Sequence, residues 1–308
     1  MYHFIINPKS SSGKGIRHWW TVKDELDRQN ITYTADFTKQ EGHAIKLAAK
    51  ICQENQGIKN IVVLGGDGTL NEVINGIVNF DDVTLGYIPS GSSNDLARSL
   101  GIPKDPLKSL SNVLKPNKFI YLDYGEITFL DNDIKPRRFG CSSGIGYDAG
   151  VCEEVQRSAL KKRLNRFGAG KFIYLAIAVK QLFSIKLQDA TITVDRIKTN
   201  KYKKVLLVSN MIHKYEGGGL KMAPEADPTD GKLSICLVHG IPRAVMALVF
   251  PSILFGKHVK VKGVETFNCS DIEIQLDRKF AVHTDGEVPA FSSHIKVSCI
   301  PSRIRMIL

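Results

Sequence analysis

The sequence predicts an α/β amino-terminal domain, a parallel sheet with helices on both faces, followed by a mainly β second domain. Three observations carry this. Over the first 120 residues short apolar runs alternate with helix-length stretches, the pattern of a covered parallel sheet. Three of those runs lead directly into loops of small residues. From about residue 119 the rhythm shifts to short alternating strands, in a chain whose 308 residues suit two cores better than one.

In chain order, Tyr2 to Ile6 reads as a strand and Asn7 to Gly15 as a loop, while Trp19, Val22, Glu25 and Leu26 mark a helix. A strand at Thr32 to Ala35, a helix from about Glu41 to Gln56, the strand Asn60 to Leu64 and a helix from Thr69 to Val78 follow. Thr84 to Ile88 is a strand that feeds Pro89 to Asp95 and a helix through Leu100. Ligands of such sheets gather beyond the carboxyl ends of the strands, so the loops Asn7–Gly15, Gly65–Thr69 and Pro89–Asp95 are expected to converge.

The second domain is drawn from strands at Ile120–Tyr124, Ala190–Val194, Val205–Ser209, Leu233–Val238, Ile272–Leu276 and Ile295–Cys299, with helical passages at Gly150–Ser184 and Arg243–Phe255. The expected domains are 1–120 and 121–290, with a tail of about 291–308 that returns to the first.

Composition narrows the function. A net charge of +11 and a pI near 9.3 favour anionic partners. Arg157, Lys161, Lys162, Arg163, Arg166 and Lys171 concentrate that charge, yet no aromatic-interleaved basic strand or groove-reading helix accompanies them. Nucleic acid is therefore not expected, and a polybasic patch beside anionic lipid head groups is. The apolar run Ala244 to Phe255 is broken by Pro251 and falls short of the roughly 20 residues that cross a bilayer, so it reads as a buried helix. Met1 to Pro8 has no signal-peptide pattern. Six cysteines without a Cys-x-x-Cys pair read as reduced core residues of a cytoplasmic protein, with no zinc site.

The most informative stretch is Val62-Val63-Leu64-Gly65-Gly66-Asp67-Gly68-Thr69-Leu70-Asn71-Glu72. An apolar strand delivers a glycine turn into a helix start, where backbone N–H groups and the helix dipole favour phosphate. Asp67 repels phosphate and suits a Mg²⁺ that binds it. The first loop is not a P-loop, because Pro8 occupies the first glycine position and Gly15 replaces the magnesium-binding hydroxyl. Lys9 and Lys14 are its candidate phosphate partners. In the third loop, Gly91-Ser92-Ser93-Asn94-Asp95 combines small residues with a second carboxylate, and Ser93 or Asn94 is also a helix-cap candidate. Far downstream, Asp285-Gly286-Glu287 reads as a hairpin turn carrying two acids.

These residues resemble the soluble diacylglycerol-kinase-like lipid kinases, a family that includes bacterial diacylglycerol kinases and the sphingosine and ceramide kinases. The resemblance runs in order through Asn7-Pro8 with Gly13-Lys14-Gly15, Gly65 to Glu72, Pro89 to Arg98, Gly144-Ile145-Gly146-Tyr147-Asp148, Gly217-Gly218-Gly219 with Ala223-Pro224, Asp230-Gly231-Lys232-Leu233, and Asp285-Gly286-Glu287. The glycine-aspartate motif alone is shared with NAD kinases and phosphofructokinase-like folds. Asn94 to Arg98 and the terminal Asp-Gly-Glu point to the lipid branch.

The resemblance implies an ATP site between the domains, the first binding the nucleotide and the second the lipid substrate. Asp67 would act through Mg²⁺, Asp95 would lie near the transferred phosphoryl, and Glu287 would take the proton of a lipid hydroxyl. Asn7, Lys14, Gly65, Gly66, Gly68, Thr69, Asn71, Gly91, Ser92 and Asn94 would line the nucleotide. Asp230, with Asp227 and Lys232, resembles a structural magnesium site. The implied reaction is phosphorylation of diacylglycerol to phosphatidic acid at an anionic membrane, with Leu160, Leu164 and Phe167 beside the basic segment as docking residues.

Ser93 stands where the family usually has glycine and Cys141 where asparagine is common. Both motivate an alternative, a nucleotide- and membrane-binding module without turnover. Another alternative is an NAD kinase, against which the Asp-Gly-Glu tail argues. Oligomeric state stays open, a homodimer being one arrangement the sequence allows.

Overall fold

The computed structural model describes residues 1–157 and 170–308. Its first part consists of β1 (Tyr2–Ile6), α1 (Ser10–Arg28), β2 (Tyr33–Phe37), α2 (His43–Glu54), β3 (Lys59–Gly65), α3 (Asp67–Gly76), β4 (Val83–Pro89), α4 (Asp95–Leu100) and α5 (Pro106–Leu114). β1 pairs in parallel with β2 and β3, and β3 in parallel with β4, so their carboxyl ends share one edge. Alternation along β1 sends Phe4 and Ile6 into a core with Trp19, Val22 and Leu26 of α1 and Leu110 and Val113 of α5. Ile5 points the other way, into a core with Ala44, Ala48 and Ile51 of α2 and Leu70, Val73 and Ile74 of α3.

Two local readings change. Helical geometry is regained at Ser10, inside the expected loop, but Ser11, Ser12 and Gly13 have φ of 44°, 57° and 91°, so the regular helix follows Gly13. α5 had no counterpart in the sequence reading. Asp105 caps it, its carboxylate accepting from the Lys108 N–H at 2.9 Å, with Pro106 in the first turn.

The second part adds β5 (Phe119–Phe129), β6 (Arg137–Phe139), β7 (Ser142–Gly146), α6 (Tyr147–Arg157), α7 (Gly170–Ser184), β8 (Gln188–Val194), β9 (Lys198–Met211), β10 (Leu233–His239), α8 (Arg243–Val249), β11 (Val264–Cys269), β12 (Asp271–Thr284) and β13 (Glu287–Ile307). β7 and β8 occupy successive stretches between the long strands β9 and β12. Ile127, Phe139, Ile145, Val208, Ile235, Ile274, Val282 and Val297 fill the core they share. β5 and β13 run antiparallel through both parts. Their far ends reach the first sheet, where Arg305 and Met306 pair in parallel with Thr84 and Leu85 of β4.

The apolar segment expected to be a buried helix is instead a short helix followed by a 3₁₀ turn at Phe250–Phe255, with Pro251 in its first turn. Met246 and Ile253 are buried, but Leu248 is 82% and Phe255 72% exposed, with Val245 and Leu254 also outside. Proline removes a helical donor, and the chain then turns too tightly to bury both sides. Among the described residues no helix is long and apolar enough to cross a membrane. None of the six cysteines forms a disulfide, and Cys141, Cys236, Cys269 and Cys299 are buried.

Candidate active site

The three small-residue loops touch one another at the carboxyl edge of the parallel strands. Asn7 Nδ2 donates to Thr69 Oγ1 at 2.9 Å, joining the first loop to the second. Ser10 Oγ meets Ser90 Oγ at 2.7 Å and Ser11 Oγ meets Ser92 Oγ at 3.2 Å, joining the first to the third. The Ser90 N–H donates to the Gly65 carbonyl at 2.7 Å. Beyond that bond the second and third loops pass so closely that a Cβ on Gly91 would lie 2.5 Å from Gly66 Cα. Backbone meets backbone there, so neither glycine tolerates a side chain without a shift of the loop. Asn94, in the left-handed region at φ 52°, closes the third loop on itself: its Oδ1 accepts from the Gly91 N–H and its Nδ2 donates to the Gly91 carbonyl.

This packing brings two acids together. Asp67 opens α3 and Asp95 opens α4, and the Asp95 N–H donates to Asp67 Oδ2 at 3.1 Å. Asp95 Oδ2 accepts from the Gly218 N–H at 2.7 Å, and Arg98 Nε stands 3.7 Å from Asp95 Oδ1. Neither Asp67 Oδ1 nor Asp95 Oδ1 has a hydrogen-bond donor, although both are buried. Burial and the charge of Asp95 push the Asp67 carboxyl up to about 7, and burial likewise raises Asp95. A buried carboxylate oxygen without a donor, at the start of a helix and beside a second acid, suits a hard divalent cation.

The third acid arrives from the far end of the chain. Asp285 and Gly286, at φ 48° and 84°, form a two-residue hairpin turn between paired Thr284 and Glu287. Asp285 fixes the turn. Its carboxylate accepts from the N–H groups of Gly140, Cys141 and Ser142 at 2.7 to 2.9 Å and from Asn71 Nδ2 at 2.8 Å. Glu287 is thereby set against the glycine turn, where a Cβ on Gly68 would lie 3.0 Å from Glu287 Oε1. Burial, with Glu72 and Glu41 adding to it, pushes the Glu287 carboxyl up to about 8, against the pull of Arg137 at 3.6 Å. A carboxylate tuned that close to neutrality has the affinity a general base needs.

Other expected residues sit differently. Asn71 is fully buried, and its amide nitrogen donates to Asp285 and the Arg138 carbonyl, tying α3 to the hairpin. Lys14 is half-buried just after the left-handed break in α1 and makes no ion pair among the described residues. Asp227, Asp230 and Lys232 lie apart from Asp67, in a loop tied to β5 and β13 through Asp123, which accepts from the Gly231 and Ser302 N–H groups at 2.7 Å. Asp227 Oδ1 caps Thr229, and Asp230 Oδ1 accepts from the Lys232 N–H. Lys161, Lys162, Arg163, Arg166, Leu160, Leu164 and Phe167 fall outside the described residues, as does the Lys171 side chain. Arg157 pairs with Glu153 at 2.9 Å on the surface of α6.

Residues 1–125 match the model of the diacylglycerol kinase catalytic domain, and residues 142–308 match that of the YegS C-terminal NAD kinase beta sandwich-like domain. The chain belongs to the diacylglycerol-kinase-like lipid kinase family. Family membership makes it a kinase and implies use of ATP. Across its length it is 29% identical over 308 residues to the Bacillus subtilis protein YtlR, described as a candidate lipid kinase, covering 99% of this chain and 98% of that one. It is 27% identical over 302 residues to a diacylglycerol kinase of Mycobacterium tuberculosis, covering 95% and 93%. In fold it is similar to a candidate diacylglycerol kinase from Bacillus anthracis, with a TM-score of 0.76 at 21% identity over 99% of this chain and 94% of that one.

Of the groups around the three acids, Arg137 was missed in the sequence, whereas Arg98 and Gly218 stood in motifs that carry the resemblance but had no role given to them. Arg137 faces Glu287, Gly218 grips Asp95, and Arg98 lies by Asp95 and over the Tyr215 ring at 5.8 Å. The run Lys135-Pro136-Arg137-Arg138 before a strand was the one visible signal for Arg137.

Proposed function

We propose that this chain transfers the γ-phosphoryl group of ATP, with Mg²⁺, to a lipid hydroxyl, converting diacylglycerol to phosphatidic acid at an anionic membrane surface on the cytoplasmic side. The observation that carries the reading is the meeting of Glu287 with the glycine turn: a carboxylate of raised affinity lies against Gly68, next to Asp67 and its donor-free oxygen. Phosphoryl transfer needs charge neutralisation, in-line placement and a base, and little covalent chemistry.

Asp67 is the residue that would hold the metal. Mg²⁺, when bound, offsets charge on the phosphates. Lys14 and the backbone N–H groups at the start of α3 orient phosphate oxygens. Asp95 holds Asp67 in place through its N–H and stands at the transferred phosphoryl. Glu287 takes the proton of the attacking hydroxyl, and Arg137 opposes the burial that favours its protonated form. The structural magnesium implied at Asp230 is part of the same proposal. Asp123, raised by burial and by Asp230 and Asp227, marks that loop as crowded with acids, with Asp230, Asp227 and the Lys232 carbonyl as the groups that would hold the ion.

Membrane association is supported by the exposed Val245, Leu248, Leu254 and Phe255, beside the exposed Lys257, Lys260 and Lys262. Exposed apolar side chains followed closely in the chain by exposed lysines suit a bilayer of anionic head groups over acyl chains. The test is transfer of label from ATP to lipid vesicles with Mg²⁺. Wild type should label a lipid, and Asp67→Asn and Glu287→Gln should each lose labelling by at least a hundredfold; activity persisting in both variants would overturn the assignment.

A further inference from the structure

Behind the hairpin turn lies a buried group that the reaction does not use. His283, on β12, is fully buried, and its Nε2 lies 3.1 Å from Glu216 Oε1 and 3.4 Å from Asp148 Oδ2. Ser209 Oγ donates to Asp148 Oδ2 at 2.6 Å and sits 3.3 Å from Glu216 Oε2. The Ala149 N–H holds Asp148 Oδ1 at 2.8 Å. On its other side the ring reaches the catalytic turn, where the Gly286 N–H donates to His283 Nδ1 at 3.3 Å.

Burial opposes a second proton on this ring, but Glu216, Cys152 and Asp148 outweigh it and raise the ring's proton affinity well above that of an ordinary histidine. The backbone geometry stands against that pull: the Gly286 N–H faces Nδ1 at 3.3 Å, and since two N–H groups cannot face each other at that distance it leaves Nδ1 as an acceptor. The ring's proton then sits on Nε2, toward the acids.

Glu216 opens a further link. Its backbone pairs with Leu220 in both directions at 2.9 Å, closing the short glycine loop 217–219, and the Gly218 N–H of that loop donates to Asp95 Oδ2. Asp95 in turn donates to Asp67. Hydrogen bonds and the short backbone of the glycine loop therefore link Asp67 through Asp95, Gly218, Glu216 and His283 to Gly286, the residue before Glu287. The path joins the nucleotide side of the site to the acceptor side, and its link at His283 is fully buried.

We propose that His283 is a positioning residue of the phosphoryl-transfer reaction: by accepting from Gly286 and donating to Glu216, it sets the Glu287 turn in register with the loop that grips Asp95. The inference rests on the kinase reading above. It also separates the two nitrogens. In His283→Asn the amide oxygen replaces Nδ1 and keeps the Gly286 bond but loses Glu216; in His283→Gln the amide nitrogen replaces Nε2 and keeps Glu216 but loses Gly286.

The experiment is steady-state lipid phosphorylation by the full chain, with ATP binding and thermal unfolding measured on each variant. Both variants should lose kcat by tenfold or more while KM for ATP stays within twofold of wild type. Glu216→Leu, which removes the acceptor for His283 Nε2 at similar size, should lose kcat similarly, and the double variant with His283→Asn should lose no more than either alone. It serves as the test if a His283 variant fails to fold. Wild-type kcat in folded His283 variants, or additive losses in the double variant, would overturn the proposal. So would a stoichiometric divalent metal held by Asp148, Glu216 and His283. Wild type that phosphorylates no lipid would refute the reading beneath it, a result distinct from active wild type with indifferent variants.

Discussion

Replacing Asp67 with asparagine should stabilise the protein while abolishing its activity. Asp67 is a buried acid whose affinity rises from 3.8 to about 7 on folding, because water is removed and Asp95 stands nearby. A raised carboxyl binds its proton more tightly in the folded state, so stability is highest below pH 4, falls as pH rises from about 4 to about 7, and levels off above. Each pH unit of that interval costs about 1.4 kcal/mol. Asparagine keeps an oxygen for the Asp95 N–H and carries no charge, so the cost disappears. Between pH 5 and pH 8 the advantage of Asp67→Asn over wild type should therefore widen by roughly 3 kcal/mol. Urea denaturation of both proteins at the two pH values reads it directly. A variant less stable than wild type at pH 8, or an advantage that does not change with pH, would refute the claim that this acid is held in a site built for a cation.

Further outcomes follow from the same geometry. Removing Arg137 in Arg137→Gln takes away the charge that lowers Glu287, so the rising limb of kcat/KM against pH, set near 8 by Glu287, should move to higher pH; an unmoved limb would sever Arg137 from the base. Gly91→Ala places a methyl 2.5 Å from Gly66 Cα, which overpacks the two loops and should cost about 1–3 kcal/mol in denaturation and weaken ATP binding measured by calorimetry. Leu248→Asp with Phe255→Asp should lower sedimentation with anionic vesicles at least tenfold and leave ATP binding unchanged; wild-type vesicle binding would remove this face from the membrane account.

Much of this was legible in the sequence, for a physical reason. The parallel-sheet half declares itself because each buried strand is a near-continuous apolar run, and each ligand loop begins where that run ends. Asp67, Asp95 and Glu287 drew attention because acids in or beside glycine-containing loops at strand ends are few. What stayed hidden was pairing across long separations. Asp285 looked like turn chemistry alone, yet its carboxylate also anchors three consecutive N–H groups at the β6–β7 corner. Asn71 sits in the motif expected at the nucleotide, but tertiary packing turns it toward that same acid. His283 and Glu216 carry no local pattern; pairing of β12 with β7, and of β7 with β9, aligns His283 with Gly144 and Ser209, and the chain after β9 brings Glu216 to it. The segment Arg243–Phe255 misled because its apolar content says nothing of how much of it the second domain has room to cover.

In the proposed reaction a metal-binding nucleotide half and a base-bearing half act together on a lipid hydroxyl. Incubation of the pure protein with ATP, Mg²⁺ and a total lipid extract, followed by mass spectrometry of the products, tests it most directly. The predicted result is phosphatidic acid formed at the expense of diacylglycerol, present with wild type and missing with Glu287→Gln. A phosphorylated soluble acceptor such as NAD, or ATP bound tightly with no phosphorylated lipid at all, would contradict it.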